Sequence, residues 1–209
     1  MKAPQMSAAP FVPEHLSMRA LREAAAGCQG CDLYEHATQT VFGEGPAHAK
    51  LVLVGEQPGD SEDLQGHPFV GPAGRVLREG MAAAGIDPAA AYITNAVKHF
   101  KFVQRGKRRI HATPKVYEIR ACRPWLEAEL EVVRPSLVVA LGATAAQTLL
   151  GPTFRLTQHR GEVLRSELAD RVMATLHPSA ILRVPTEDRD ETMRGFIADL
   201  RAAAKELAV

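Results

Sequence analysis

Three groups of side chains in this 209-residue chain have types and spacings that can do chemistry. Cys28 and Cys31 form a Cys-x-x-Cys pair, and Cys122 is the remaining cysteine. With one imidazole they make a Cys3His donor set, which suits structural Zn2+ or an iron–sulfur cluster with a histidine ligand. Donor chemistry alone leans towards zinc, and Cys122 reads equally well as a small buried core residue. The second group is the Gly/Pro turn GEQPGD, which carries the carboxylates Glu56 and Asp60. Its glycines let backbone approach a ligand closely. The third group holds Asn95, the His177-Pro178-Ser179 turn, and Phe69 in the rigid GHPFVGPAG loop. Phe69 suits either a core plug or a platform on which a flipped base stacks. Neither a Walker A loop nor G-x-G-x-x-G is present, which disfavours a generic nucleotide-binding protein.

These residues need elements to carry them. Four short apolar runs, Lys50–Gly55, Ala91–Val97, Ser136–Leu141 and Arg171–Leu176, read as strands buried on both faces. Helical spacing recurs over Leu16–Ala26, Gly74–Ala84, Val116–Val133, Ala143–Leu150 and Asp190–Leu207. The alternation predicts an α/β fold, a three-layer α/β/α sandwich around a mostly parallel four-stranded sheet. Ligands of such sheets sit beyond the carboxyl ends of the strands. GEQPGD, Asn95, Gly142-Ala143-Thr144 and His177-Pro178-Ser179 each follow a strand, so they should share one site. No repeat or linker divides the chain, and residues 1–209 read as a single domain. Residues 1–13 read as a loose arm rather than a signal peptide.

With 46% apolar and 23% charged residues, the composition excludes collagen-like, mucin-like and wholly disordered classes. No apolar run approaches the length of a membrane helix. Three cysteines are too few and too odd for a secreted disulfide scaffold, so a cytoplasmic protein is expected, and a monomer. The net charge of +1 conceals a local excess. Between Pro88 and Tyr117 there is no Asp or Glu, while Lys98, Lys101, Arg105, Lys107, Arg108, Arg109 and Lys115 are all basic. The rest of the chain carries 18 Lys+Arg against 24 Asp+Glu, a net of −6. A basic stretch interleaved with Phe100, Phe102 and His111 fits a nucleic-acid backbone, though other anions or a solvated loop would suit it too.

The motifs also carry a family resemblance. GEQPGDSEDLQGHPFVGPAGRVL resembles the first motif of the Fe–S-containing (family four) uracil-DNA glycosylases, where GEAPG and PFVGRAG are usual. TNAVKHF, ACRPWL and HPSA resemble that family's later motifs, in order, over roughly residues 28–182. Three departures stand out: Gln57 replaces Ala or Gly, His99 replaces a cysteine, and a basic insert ending in GKRRIH precedes the next motif. All three are shared with UdgX-type glycosylases, which bind uracil-DNA covalently.

The resemblance implies a [4Fe–4S] cluster held by Cys28, Cys31, His99 and Cys122. It implies that Phe69 stacks on uracil and that Asn95 reads its Watson–Crick edge, with Gln57 and Asp60 shaping the pocket. His177 would donate to uracil O2, Glu56 would stabilise the cationic sugar, and His111 would attack C1′. Neutral imidazole is a competent nucleophile near pH 7. The implied partner is uracil-containing DNA, single-stranded by preference, with Lys107, Arg108, Arg109, Ser179 and Arg183 on its phosphates. The rival expectations are a turning-over glycosylase that uses water, and a non-catalytic Fe–S DNA-binding module.

Overall fold

A computed structural model describes residues 6–208. Its strands are β1 (Leu51–Gly55), β2 (Ala91–Asn95), β3 (Phe102–Arg105), β4 (Arg108–His111), β5 (Leu137–Leu141), β6 (Val163–Leu164) and β7 (Val172–Thr175). Its helices are α1 (Met18–Ala25), α2 (Asp60–Gln65), α3 (Pro72–Ala83), α4 (Val116–Val133), α5 (Ala143–Leu150), α6 (Leu156–His159), α7 (Pro178–Arg183) and α8 (Thr186–Leu207).

The main sheet runs β2-β1-β5-β7-β6. Its first four strands are parallel and are the four expected from sequence. The fifth, β6, is antiparallel to β7 and only two residues long. Two residues are too few for a hydrophobic period to reveal. The alternation of side chains assigns each face of the sheet to a helical layer. Val52, Val54, Val138, Ala140, Val172 and Ala174 pack with α4 and α5. Leu51, Leu53, Leu137, Val139, Leu141 and Met173 pack with α3, α7 and α8. A third core lies between α1 and α4 and includes all three cysteines and Trp125.

The loose-arm expectation needs correction where the chain is described. Ala8 is buried and its N–H donates to Ala121 O at 2.7 Å, so this segment lies against α4 and covers the third core. Residues 1–5 fall outside the described residues.

The basic segment is no loop. Strands β3 and β4 form a two-stranded hairpin that pairs with no other strand among the described residues. A lone hairpin is marginal in water and must borrow contacts. Arg109 supplies them: Nε reaches Asp60 Oδ1 and Nη1 reaches Asp63 Oδ2, both at 2.6 Å, and Nη1 also donates to Thr38 Oγ1. Its guanidinium lies 5.5 and 5.1 Å from the ring centroids of Phe100 and Phe102. Asp63 is fully buried and also accepts from Thr38 N–H. Arg109→Met keeps the packing but strands that buried carboxylate, at a cost of about 3–5 kcal/mol. Hydrogen exchange should then show faster exchange in β3 and β4, with β1 and β5 still protected and a lower Tm.

Candidate active site

The sheet changes direction at β1 and β5. From β1 the chain proceeds to β2 on one side; from β5 it proceeds to β7 on the other. The crevice beyond such a pair of strand ends is where open parallel sheets bind ligands. Here the residues after β1 and β5 meet: Thr144 Oγ1 donates to Glu56 Oε2 at 2.5 Å. A cavity of about 740 Å³ opens at this point. Glu56, Gln57, Asp60, Phe69, Asn95, His111, His177, Ser179 and Arg183 all line it. Seven of these were expected to act on the base or sugar, and the fold brings all seven together.

Asn95 closes β2 and is buried. Its Oδ1 is the one buried side-chain polar atom without a hydrogen-bond partner among the described residues. An orphaned acceptor beside a cavity costs free energy unless a ligand completes it. Phe69 sits nearby: a Cβ on Gly55 would lie 2.3 Å from Asn95 Oδ1 and 2.7 Å from Phe69 Cζ. Phe69 has φ of 54°, which is strained for an aromatic residue. Two contacts hold it there. Arg78 donates to its carbonyl at 2.8 Å, and a Cβ on Gly74 would fall 1.6 Å from that oxygen.

His177 caps α7. Its Nδ1 accepts from Ser179 N–H at 3.1 Å, so the neutral ring carries its proton on Nε2. Ser179 Oγ lies 2.7 Å from the same Nδ1, and Arg183 donates to that hydroxyl. Burial first, then the neighbouring Arg183 guanidinium and the His111 ring when it is protonated, push the imidazolium pKa down to about 4. His177 is therefore a neutral N–H donor at physiological pH. Gly142 allows the close approach of this ring: its φ is +90°, and a Cβ there would lie 2.9 Å from His177 Cβ.

His111 ends β4 and enters the cavity through Gln57. Lys101 N–H donates to Gln57 Oε1 at 2.9 Å, which fixes the amide orientation. The two hydrogens of Gln57 Nε2 are shared among three acceptors, Lys101 O, Ala112 O and His111 Nε2, at 3.2, 3.0 and 2.9 Å. A donor facing His111 Nε2 requires a lone pair there, which puts the ring proton on Nδ1. Glu56 Oε1 lies 3.6 Å from the same Nε2. The carboxylate thus faces the ring nitrogen that carries the lone pair. Glu62 is also buried here; its two oxygens accept from Gly59 N–H and Gly71 N–H and tie the Gly55–Asp60 turn to the Phe69 loop.

Folding redistributes the basic segment. Lys98 pairs with Glu129, Lys101 with Glu118, and Arg109 with Asp60 and Asp63. Arg105, Lys107, Arg108 and Lys115 remain exposed. The expectation of phosphate contacts therefore holds its charge at Lys107 and Arg108, whereas Arg109 is engaged within the protein. Ser179 and Arg183 are engaged with His177, though Arg183 is exposed.

The cysteines lie together away from this cavity. Cys28 Sγ accepts from Trp125 Nε1–H at 3.2 Å and from Gly30 N–H at 3.5 Å, and Cys122 Sγ accepts from Lys98 N–H at 3.2 Å. His99 Nε2 is 2.9 Å from Thr40 Oγ1, whose hydroxyl donates to Ala25 O. Thr40 must then accept from Nε2–H, leaving the Nδ1 lone pair free. Burial lowers the His99 pKa to about 4 and pushes the Cys122 thiol up to about 12. A neutral imidazole is ready for a metal, while a thiolate there needs added positive charge. Among the described residues no three His, Cys, Asp or Glu side chains are grouped to hold a single metal ion. Tetrahedral Zn2+ would require such convergence. The donor types, their burial and the N–H bonds to sulfur are those of a metal-ligating set.

Comparison with known proteins bears on this site. The model of the Uracil DNA glycosylase superfamily matches residues 42–201. The chain belongs to that superfamily. It is 36% identical over 167 residues to a type-4 uracil-DNA glycosylase of Thermotoga maritima, covering 79% of this chain and 83% of that one. It is 32% identical to one of Pyrobaculum aerophilum, over 81% and 87% of the two chains. It is 36% identical to one of Archaeoglobus fulgidus, over 76% and 79%. Among the described residues, no helix is long and apolar enough to cross a membrane. The residues expected from the sequence to share one site do line one cavity, but the sequence does not reveal Thr144 as the partner of Glu56. Nor does it reveal Gln57 as the brace of His111; only their tertiary neighbours reveal either role.

His177 makes stability depend on pH. The unfolded imidazole titrates near 6.5 and the folded one at about 4, so the unfolded chain binds the extra proton between these values. Its contribution is present above about pH 6.5 and is lost as pH falls towards 4. In a series of melts from pH 4 to 7, His177→Asn should show a shallower fall in Tm than the wild type; an unchanged slope would contradict the burial of this ring.

Proposed function

We propose that this protein is a uracil-DNA glycosylase that joins itself to the DNA it acts on, through a bond between His111 and deoxyribose C1′. The observation that carries the base specificity is the unpartnered Asn95 Oδ1, which uracil N3–H would satisfy. The uracil, flipped from the strand at a cost of a few kcal/mol, stacks on Phe69. His177 Nε2–H donates to O2 as the C1′–N1 bond breaks and its electron pair leaves with uracil. This is preorganised stabilisation of the developing anion. The Glu56 carboxylate faces the oxocarbenium-like sugar. The Nε2 lone pair of His111 closes on C1′, the Nδ1 proton passes to solvent, and uracil takes a proton at N1. Substituted imidazole is a poor leaving group without a second activating step, so the adduct persists.

Cys28, Cys31, His99 and Cys122 would hold a [4Fe–4S] cluster, with His99 ligating through Nδ1. Bound there, the cluster would supply cross-linking of the third core; the glycosidic chemistry transfers no electrons and does not pass through it. Lys107 and Arg108 would meet DNA phosphates, a contact that weakens with salt and reads no base. A second reading, turnover with water as nucleophile, is favoured by the names of the type-4 relatives.

A denaturing gel separates the two. Mixed with uracil-containing single-stranded DNA, wild-type protein should give a denaturant-resistant adduct. His111→Ala should abolish it and release uracil and an abasic site instead. An adduct that survives His111→Ala would exclude this nucleophile, and uracil released in excess over wild-type enzyme would select the hydrolytic reading.

A further inference from the structure

Behind Asn95 lies a buried charge pair that the glycosidic chemistry does not touch. Lys98 and Glu129 are both fully enclosed. The Lys98 ammonium donates to Glu129 Oε2 at 2.5 Å, to Thr94 Oγ1 at 2.7 Å and to Asn95 O at 2.7 Å. Its three hydrogens are thereby used. Glu129 Oε1 accepts from Gly43 N–H, Tyr92 Oη–H and Thr94 Oγ1–H at 3.1, 2.8 and 2.9 Å. The proximity of this carboxylate, after burial, raises the Tyr92 pKa. A buried ion pair is often replaceable by apolar side chains without loss of stability, so its presence directs attention to what it holds in place.

It holds the end of β2. Thr94 and Asn95 are consecutive residues, and the ammonium grips the hydroxyl of one and the carbonyl of the other. Glu129 anchors that grip to α4. On the far side of the same backbone, Asn95 Oδ1 stays without a partner. An unsatisfied acceptor tends to turn towards any available donor, and a backbone free to shift would let it do so. Lys98 is itself fixed, since its N–H donates to Cys122 Sγ and its carbonyl accepts from Val41 N–H at 2.8 Å.

We infer that Lys98 and Glu129 are positioning residues for base recognition. Clamped by Glu129, the Lys98 ammonium holds the Asn95 backbone so that Oδ1 remains directed at the site of uracil N3–H. The inference rests on the reading of Asn95 as the uracil reader.

The test uses full-length protein as purified and compares wild type, Asn95→Ala, Lys98→Met and the double variant Lys98→Met/Glu129→Gln. The double variant leaves no unpaired buried charge, so it remains informative if the single one fails to fold. Reaction with a uracil-containing single-stranded oligonucleotide is followed against DNA concentration, alongside Tm and the 1H–15N resonances of the Asn95 side-chain amide. The double variant should raise the half-saturating DNA concentration by about tenfold or more, with a smaller change in the saturated rate. Its Asn95 amide resonances should shift or broaden. A merely structural pair would lower Tm and leave both readouts at wild-type values, which would overturn the inference while wild type still reacts and Asn95→Ala does not. Wild-type protein inert towards uracil-DNA would instead remove the functional reading beneath it.

Discussion

The parallel sheet is covered on both faces, and everything else in this protein follows from that constraint. Val52, Val54, Val138 and Ala140 point into one helical layer, and Leu51, Leu53, Leu137 and Val139 into the other. Apart from the buried network of Tyr92, Thr94, Lys98 and Glu129 between β2 and α4, both faces are apolar and closed to a ligand. Polar residues open to a ligand collect where strands end, and β1, β2, β5 and β7 are parallel, so their carboxyl ends lie on one edge. The Glu56 turn, Asn95, Thr144 and His177 arrive there from four different strands.

A shared edge does not orient side chains, and a second layer of contacts does that. Each group facing the cavity has a dedicated partner: Thr144 for Glu56, Ser179 for His177, Arg78 for the Phe69 carbonyl, Gln57 for His111. The His111 case is the most demanding. Among the described residues its hairpin pairs with no other strand, so its position depends on Gln57 at one end and on Arg109 with Asp60 and Asp63 along its length. The Asn95 case is the inverse, because its side-chain oxygen has no partner among the described residues while the backbone behind it is gripped by Lys98.

The basic segment shows how far folding can reassign a charge count. Seven cations in a stretch without carboxylates read as one anion-binding surface. In the fold, Lys98, Lys101 and Arg109 meet carboxylates brought from α2 and α4, residues distant in sequence. Only the hairpin tip and Lys115 keep their charge in solvent. The protein uses part of its positive charge to build the site and leaves the rest facing outward.

Much of the fold and the membership of the site was legible in the sequence. Continuous β-branched runs report burial on both faces, and helical periods report one-sided packing, so the four parallel strands and most of the helices could be read locally. The motif residues follow strand ends, and parallel topology then gathers them. The cysteine count, with His99 standing where the resembling family has a cysteine, suggests a metal-type donor set, and in the fold the three cysteines share the third core. What no local pattern could decide were contacts between residues far apart in the chain. Two-residue β6, the burial of Ala8 against α4, the turning of Arg109 inward, the tautomers of His111 and His177, and the orphaned Asn95 oxygen each depend on which distant group lies within about 3 Å. Hydrophobic periodicity carries no such information, because hydrogen-bond geometry is set only once the layers have packed.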